Sequence, residues 1–392
     1  MILGQISYLD CLVFLIFLAP QLLLEVGIFN VAAWLLPALP HLAAIILPCQ
    51  FVQERFLTPS ESRSPFVQRA TPFQDFVIRY VRYAFAFMPA SIGRVFFSKP
   101  VSLPFMRWRM MRHGYLHSPI TWREVKEKRF SGVWLTMDQN TEPDVVIFYL
   151  HGGGFAMGSS YFYMEFLLAW VALLKEAGFK NPALFALEYT LVPDAVYPTQ
   201  IQEALAAYEH VLSVVKNPSR VCVGGDSAGG TLILSFLLYL ADHPQHQTRM
   251  PGLATLISPW VTLVSEENRD TSSDYLNAET LHLYGRQYAG TKISIDDPMV
   301  SPGNEKDLKR WQRASPKHGW VILFGKEEVL GPEIRALSAR LDKAGTNVKV
   351  HEEYGSIHAW PVAALYLGEN RDERLKGLRD VVSSVKHRLR SG

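Results

Sequence analysis

The chain has 392 residues, of which 48% are hydrophobic and 19% are charged, and its formal net charge is +2. This composition excludes an intrinsically disordered chain and provides the core of one large domain or two ordinary ones. The balance of 39 Lys and Arg against 37 Asp and Glu gives no reason to expect a nucleic-acid partner. Three cysteines and no Asn-x-Ser/Thr acceptor predict neither a disulfide framework nor glycosylation.

Residues 1–50 are the most apolar part of the chain and are predicted to form a hydrophobic membrane anchor. They contain no Lys or Arg, and the stretch from Val26 to Cys49 also lacks Asp and Glu. A helix of that length can cross a hydrocarbon core of about 30 Å. A shorter apolar run, Cys11 to Leu24, precedes it, with Pro20 and Gln21 as a candidate turn.

The form of this anchor stays open from the sequence. The two apolar runs fit either one long span or a hairpin. A third alternative is a helical hairpin packed on a soluble core, because three prolines interrupt a simple spanning helix. These prolines are Pro37, Pro40 and Pro48.

Residues 51–130 are rich in Arg and aromatic residues and predict amphipathic helices. Arg79 and Arg82 are three residues apart, as are Arg109 and Arg112, so each pair shares one face of a helix. Such helices could lie on anionic lipid headgroups, cover a hydrophobic cleft as a cap, or pack on a core as ordinary surface helices. The sequence does not decide between these three.

From residue 131 to residue 392, short apolar strands alternate with helices, which predicts a mostly parallel sheet with helices on both faces. The stretch 262–300 interrupts this alternation and predicts a cap insertion over the carboxyl edge of the sheet, where ligands bind. The predicted strands are Gly132 to Met137, Val145 to Leu150, Ala183 to Tyr189, Val221 to Gly224, Leu253 to Ser258, Trp320 to Phe324 and Val348 to Glu352. The predicted helices are 161–177, 199–215, 228–241, 332–344 and 371–389.

The pentapeptide Gly225-Asp226-Ser227-Ala228-Gly229 follows a predicted strand and precedes a predicted helix. A Gly-x-Ser-x-Gly motif in that context predicts a nucleophile elbow, in which the flanking glycines remove Cβ atoms that would collide in the tight turn. The turn directs the backbone N–H of Ala228 at the position of a tetrahedral oxyanion. Ser227 is therefore the predicted nucleophile, and Asp226 is predicted to support the elbow structurally.

A second glycine motif, His151-Gly152-Gly153-Gly154, closes the strand 145–150. Free N–H groups in such a loop can stabilise a developing negative charge. Loops of this kind also cradle phosphate, but neither a Gly-Lys-Ser/Thr triplet nor a Gly-x-Gly-x-x-Gly motif is present. Gly152, Gly153 and Gly154 are predicted, with Ala228, to form an oxyanion hole.

A serine nucleophile needs a base and an orienting acid, which follow it in the chain order Ser, acid, His in this kind of fold. His358 lies in a loop just after the final strand, whereas His351 lies within that strand and His387 in the last helix. Glu327 and Glu328 both follow the strand 320–324. The predicted triad is Ser227, Glu328 and His358, with Glu327 as the rival acid.

These motifs together resemble the hormone-sensitive-lipase-like branch of the α/β-hydrolase superfamily, which includes arylacetamide deacetylase and fungal steryl acetyl hydrolases. The resemblance covers roughly residues 131–365. It implies that the acid precedes a Val-Leu or Pro-Leu pair about thirty residues before the histidine, which matches Glu328, although the family usually has aspartate there. Its marks are HGGGF at 151–155, EYTLVPDAVYPTQIQEALAAY from Glu188, GDSAGG at 225–230, LISPW at 256–260 and EVL at 328–330.

The sequence thus predicts a membrane-associated serine carboxylesterase that acts through an acyl-enzyme and needs no cofactor or metal ion. By resemblance, the substrate is an acetyl or short acyl ester of an apolar sterol, terpenoid or other secondary metabolite. An acyltransferase with the same triad and a non-catalytic small-molecule receptor on this fold are the alternatives. The sequence leaves the oligomeric state open.

The expected location is an internal membrane, by resemblance that of the endoplasmic reticulum, with the lipid bilayer as a partner. The first basic residue is Arg55 and many follow, so the positive-inside rule places the catalytic domain in the cytosol. Members of the resembled branch often face the lumen instead. The side of the membrane therefore stays open.

Overall fold

A computed structural model of the chain describes residues 1–390, apart from the side chains of residues 44–48. Eight strands form one sheet: β1 Thr121–Lys126, β2 Ser131–Thr136, β3 Val145–Leu150, β4 Pro182–Glu188, β5 Val221–Asp226, β6 Leu253–Ile257, β7 Trp320–Gly325 and β8 Val348–Glu353. Their spatial order is β1-β2-β4-β3-β5-β6-β7-β8. The pairs β1 with β2 and β2 with β4 are antiparallel, and the remaining pairs are parallel.

The helices precede, separate and follow these strands. They are α1 Tyr8–Glu25, α2 Ile28–Pro40, α3 Pro65–Arg69, α4 Pro72–Phe87, α5 Ala90–Phe96, α6 Lys99–Arg112, α7 Met164–Glu176, α8 Thr199–Val215, α9 Ala228–Asp242, α10 Ala278–Ala289, α11 Leu308–Ala314, α12 Gly331–Lys343, α13 Trp360–Leu367 and α14 Arg371–Arg390. The segment His41–Leu57 continues α2 with wider, π-helical turns.

The sheet is covered on both faces, which explains why its central strands are apolar at every position. In β3, Phe148 packs into the cluster formed with α8 and α9, whereas its neighbour Tyr149 packs into the cluster formed with α7 and α14. Alternate side chains of a strand point to opposite faces, so an apolar residue at each position fills both layers. This confirms the α/β-hydrolase architecture expected from the sequence.

The strands and helices predicted from residue 131 onward are all present, with ends shifted by a few residues at most. β1 was missed because it is a polar edge strand, TWREVK, that is exposed along most of its length. Since β1 pairs with β2, the predicted boundary at residue 131 falls inside the first hairpin of the sheet. The sheet begins at Thr121.

The N-terminal anchor prediction needs a correction in its details. Pro20 lies inside the continuous helix α1, and the break between the apolar runs is at Gly27, whose φ of 87° ends the helix. The stretch Val26 to Cys49, predicted as the crossing segment, therefore begins at this break, and from Ile28 it is shared by α2 and the segment His41–Leu57 that continues it. Within the described residues, α1 is the helix that is long and apolar enough to cross a membrane, with a mean hydropathy of 1.8.

Three of the four arginines in the α4 and α6 pairs, Arg79, Arg82 and Arg109, face the protein, whereas Arg112 is exposed. Arg79 binds Asp75 and Glu54 at 2.8 and 2.7 Å and is 6% exposed. Arg109 is fully buried, and Arg82 donates to the backbone of the insertion 262–300. Because these side chains are engaged inside the protein, the alternative that they bind lipid headgroups is wrong for Arg79 and Arg109.

Candidate active site

Ser227 lies in a sharp turn between β5 and α9, as its motif predicts. Its backbone has φ 49° and ψ −120°, a conformation that is strained for a residue with a side chain. A Cβ on Gly225 would come within 2.6 Å of the backbone of Gly229, and a Cβ on Gly229 would overlap the carbonyl oxygen of Leu150. Glycine at both flanks therefore allows the turn to hold the hydroxyl at the carboxyl edge of the sheet.

Asp226 joins this turn to the glycine loop. Its Oδ1 accepts hydrogen bonds from the N–H of Gly152 at 2.8 Å and from the hydroxyl of Tyr149 at 2.6 Å. Its Oδ2 accepts the hydroxyl of Tyr163 at 2.7 Å. Burial raises the pKa of Asp226 to about 6. These contacts match the structural role predicted for Asp226.

The same contact corrects one of the predicted oxyanion donors. Since the N–H of Gly152 is directed to Asp226, it is not available to a substrate oxygen. Gly153 and Gly154 have φ values of 114° and 63°, which turn the following part of the loop. Gly153, Gly154 and Ala228 stay the predicted donors, and Gly152 becomes a structural residue of the loop.

His358 and Glu328 lie next to each other at this edge, after β8 and β7. The Nδ1 of His358 is 3.9 Å from Oε2 of Glu328, and the two residues are 3% and 2% exposed. Among the described residues, this Nδ1 and the Oε1 of Glu328 are buried without a hydrogen-bond partner. They are a donor and an acceptor on neighbouring side chains, and hydrogen bonds between catalytic groups are commonly long or poorly aligned in unliganded enzymes.

Burial shifts the pKa of both groups. It lowers the pKa of His358 to about 3. Burial, with the charge of Asp274 as a second cause, raises the pKa of Glu328 well above its usual range. The imidazole is therefore neutral, which is the form that can accept a proton.

Ser258 is a residue of this site that the sequence analysis missed. Its hydroxyl donates to Oε2 of Glu328 at 2.6 Å and accepts the N–H of Ala359 at 2.9 Å. The N–H of Gly325 donates to the same Oε2 at 3.1 Å. Oε2, the oxygen 3.9 Å from Nδ1 of His358, thus accepts two hydrogen bonds, whereas Oε1 accepts none from the described residues. The sequence does contain a signal for Ser258, because this residue follows β6 directly in the LISPW motif.

Asp274 is a second missed residue, and it lies in the insertion 262–300. Its carboxylate is fully buried and accepts the N–H of His358 at 3.0 Å and the N–H of Val329 at 2.8 Å. Val329 is the neighbour of Glu328, so Asp274 contacts both loops that carry the predicted acid and base. Nothing in its local sequence distinguished it from the other polar residues of the insertion.

The structure distinguishes the rival candidates for the acid and the base. The carboxylate within ion-pair distance of His358 belongs to Glu328, and Glu327 is half-buried beside it. His351 pairs with Glu353 at 2.8 Å. The structure brings Glu328 next to His358, and the turn of Ser227 follows β5 at the same edge of the sheet.

The insertion 262–300 covers the site. Tyr284 of α10 lies against the glycine loop, where a Cβ on Gly154 would be 2.9 Å from its ring. The ring of Tyr275 is 5.8 Å from that of His358. Ser227 itself is only 6% exposed, so little of the nucleophile's turn is open to solvent.

Other parts of the described structure do not add to this site. A cavity of about 330 Å³ lies between the first residues of the chain and the start of α14, and its lining includes none of the predicted site residues. Within residues 1–390, no group of three or more His, Cys, Asp or Glu side chains is arranged to hold a metal ion.

Comparisons with known proteins agree with this architecture. A family profile described as the alpha/beta hydrolase fold matches residues 147–362, more than half of the chain, and this range includes Ser227, Glu328 and His358. An acetyl-hydrolase of Streptomyces hygroscopicus is 34% identical over 226 residues, 55% of this chain and 67% of that protein. Steryl acetyl hydrolase 1 of Saccharomyces cerevisiae is 27% identical over 245 residues, 57% of this chain and 55% of that protein.

Solved structures show the same fold. The crystal structure of an esterase from the bacterial hormone-sensitive lipase family aligns with a TM-score of 0.61 and 24% identity, covering 81% of this chain and 99% of that one. The fold and the family profile together define an α/β hydrolase. The chain belongs to the α/β-hydrolase family. It spans between about half and two thirds of the length of the two curated relatives.

Proposed function

We propose that the protein is a serine carboxylesterase that hydrolyses an acetyl or short acyl ester of an apolar alcohol. The observation that carries the proposal is the strained turn of Ser227, which follows β5 at the same sheet edge as the buried pair Glu328 and His358. A strained, glycine-flanked serine at the same sheet edge as a neutral imidazole and a carboxylate has the parts that acyl transfer requires.

In the first step, the Ser227 hydroxyl attacks the ester carbonyl carbon while Nε2 of His358 accepts its proton. The tetrahedral intermediate then collapses, the alcohol leaves with the proton from His358, and the acyl group stays on Ser227. Water deacylates the serine by the reverse sequence. Glu328 stabilises the imidazolium that forms in each step, which is costly in this buried site without a counter-charge.

The oxyanion of each tetrahedral intermediate is assigned to the N–H groups of Gly153, Gly154 and Ala228. Donors that are fixed before the reaction act without reorganising when charge develops, and the loss of one typically costs about 3 kcal/mol of the barrier. Asp226 supports them indirectly, because it holds the glycine loop through Gly152.

The substrate class comes from the relatives and from the cover over the site. The similar proteins are named acetyl-hydrolase and steryl acetyl hydrolase, and the second name denotes an acetyl ester of a sterol. Tyr275 and Tyr284 place aromatic rings beside the base and the glycine loop, which suits an apolar substrate with a small acyl group.

Membrane association is also proposed. Its support is the apolar helix α1, which has a mean hydropathy of 1.8 and is only 11% buried. A membrane-associated enzyme would meet sterol or terpenoid esters where they dissolve. An internal membrane, such as that of the endoplasmic reticulum, is the proposed location.

The experiment that tests this function is a hydrolysis screen of p-nitrophenyl esters with acyl chains of two to sixteen carbons. Wild type and Ser227→Ala are assayed side by side. The expected result is a preference for acetate or other short chains in wild type and loss of that activity in Ser227→Ala. Equal activity of both proteins would refute the proposal, and a preference for long chains would refute its substrate class.

A further inference from the structure

The N-terminal helices carry an outer face that is unusually apolar for a protein surface. Of the 21 exposed large hydrophobic residues in residues 1–390, counted without 44–48, 15 lie between Tyr8 and Leu57. Leu15 and Leu24 of α1 and Phe29 and Leu36 of α2 are 55%, 79%, 87% and 66% exposed. We call the exposed apolar side of residues 8–57 the outer face.

α1 does not stand free of the protein but lies antiparallel along α6. Near the start of α1, Asp10 Oδ2 is 3.2 Å from the guanidinium of Arg109, near the end of α6. One turn further along α1, the ring of Phe14 is 5.0 Å from that of Phe105. Leu18 then clusters with Val101, near the start of α6. The inner side of α1 is therefore bound to α6 along most of its length.

α6 is in turn fixed to the hydrolase core. The guanidinium of Arg109 makes two hydrogen bonds to Glu165 of α7, at 2.9 and 3.0 Å, and all three charged groups of the network are at most 3% exposed. Moving α1 across a bilayer would separate Asp10 from Arg109 and leave buried charges unpaired. α1 can cross a membrane only if this network breaks.

The chemistry of the outer face fits lipid hydrocarbon better than another protein. Between residues 11 and 53, Glu25 is the one Asp, Glu, Lys or Arg, and it is exposed at the turn between α1 and α2, where it can stay at the headgroups. Protein interfaces usually have a polar rim and about one hydrogen bond per 100–200 Å². A surface that inserts beside acyl chains needs neither, and its apolar side must be continuous.

We propose that the outer face inserts into one leaflet of a bilayer, with α1 and α2 lying in the membrane plane, so that the chain does not cross the membrane. The N-terminus and the catalytic domain are then on the same side. This arrangement replaces the span and the hairpin considered from the sequence, since residues 28–57 are also held to α4: Trp34 donates to the carbonyl oxygen of Phe87, and the ring of His41 stacks on that of Tyr83. It is independent of the proposed catalytic activity.

Vesicle flotation tests the lipid contact with the full chain and phosphatidylcholine vesicles. The variant Leu15→Glu/Leu36→Glu should lower the bound fraction at least tenfold, because each charge must enter hydrocarbon. Leu283→Glu is the matched control, since Leu283 is 52% exposed on α10, and it should bind like wild type. Unchanged flotation of the double variant would overturn the proposal. The proposal would also be overturned if the wild type bound no vesicles but self-associated, and the double variant abolished that self-association.

Depth measurements distinguish lying in the plane from crossing. A fluorophore is attached to Ile16→Cys, in the middle of α1, in a background with Cys11 and Cys49 replaced by Ser. Nitroxides near the headgroups should quench it more strongly than nitroxides near the ends of the acyl chains. Stronger quenching by the deep nitroxides would show that α1 crosses the bilayer and would overturn the in-plane arrangement.

A different observation carries a second proposal, which rests on the proposed function. Asp274 accepts the backbone N–H of His358 and that of Val329, next to Glu328. Its own carbonyl oxygen accepts a hydrogen bond from Arg82 of α4 at 2.7 Å. We infer that Asp274 is a positioning residue that holds the acid and base loops in register from the covering insertion.

Its charge also acts on the pair. The charged or titratable groups around Asp274 and this pair are Glu328, His358, Tyr275, Arg82, Arg335 and Asp226. The carboxylate of Asp274 raises the pKa of Glu328. Glu328 must be ionised to stabilise the imidazolium, so removing the charge of Asp274 should lower the pKa of Glu328 and move the acid limb of the activity profile to lower pH.

The test compares Asp274→Asn with wild type and with Asp75→Asn, a buried acid of α4 that binds Arg79. Asparagine cannot accept both N–H groups as a carboxylate does, so kcat should fall at least tenfold with little change in KM, and the acid limb should shift downward. Asp75→Asn should leave the limb in place. An unshifted limb and wild-type kcat in Asp274→Asn would overturn the positioning role, whereas retained activity in Ser227→Ala would overturn the function itself.

If Asp274→Asn fails to fold, Arg82→Gln tests the same positioning role with a smaller structural change. It removes the hydrogen bonds from Arg82 to the carbonyl oxygens of Asp274 and Ser272 and leaves the carboxylate in place. A fall in kcat of a few fold at wild-type thermal stability is expected. Wild-type kcat in this variant would contradict the positioning role.

Discussion

Exchanging Glu328 for Gln tests the assignment of the acid most sharply, because the two side chains have nearly the same shape. The amide oxygen of the introduced glutamine can still accept the hydroxyl of Ser258, so its NH₂ group then faces Nδ1 of His358. That NH₂ favours the tautomer in which Nδ1 accepts and Nε2 carries the proton. An imidazole in that tautomer cannot take the proton of Ser227.

The size of the loss follows from the geometry. At the 3.9 Å that separates His358 and Glu328, the attraction between an imidazolium and a carboxylate is roughly 4 kcal/mol at an effective dielectric constant of about 20. This corresponds to about a 10³-fold change in rate. The tautomer effect raises the expected loss of kcat to about 10⁴-fold.

The assay is steady-state hydrolysis of p-nitrophenyl acetate by Glu328→Gln and by Glu327→Gln as the matched control. Glu327 is half-buried beside it and its carboxylate is not the one near His358, so its variant should stay within about threefold of wild type, as surface changes usually do. Equal losses in both variants, or a larger loss in Glu327→Gln, would refute the assignment of Glu328.

Two further predictions concern the elbow and the glycine loop. Gly153→Ala keeps the N–H, but its Cβ would overlap the carbonyl oxygen of Met157 at a φ of 114° and so displace the oxyanion donors; kcat should fall about 10²-fold with KM nearly unchanged. Gly331→Ala, which has room for a Cβ, should not lower kcat, and a loss confined to KM in Gly153→Ala would contradict the oxyanion role. Burial raises the pKa of Asp226 to about 6, so its contribution to stability is complete below about pH 4 and is lost as pH rises through 6. The Tm of wild type minus that of Asp226→Asn should therefore fall between about pH 4 and pH 6.5 in thermal melts, and a constant difference would contradict this titration.

The fold was predictable because its central strands are buried on both faces. Apolar runs such as β3 and β5, separated by helical periodicity, admit few arrangements other than a parallel sheet with two helical layers. β1 was not predictable in this way, since an exposed polar edge strand lacks both alternation and a continuous apolar run. The turn at Gly27 was missed for a related reason, because proline at residue 20 is a stronger local signal but is accommodated within α1.

The residues of the candidate site also differ in how far the sequence predicts them. Ser227, the glycine loop and the carboxyl-end positions of Glu328 and His358 follow from local motifs and from the rule that strand ends meet at one edge. The roles of Asp274 and of Arg109 arise from contacts between segments more than 50 residues apart in the chain. A single sequence contains no local pattern for such contacts.

The central claim is that Ser227 is a nucleophile activated in its turn, and covalent labelling tests it most directly. The purified full chain is treated with a fluorophosphonate, and the modified peptide is identified by mass spectrometry, with Ser227→Ala as the control. The account predicts one adduct, on Ser227, and none in the variant. An adduct on another residue, or unchanged labelling of Ser227→Ala, would contradict it.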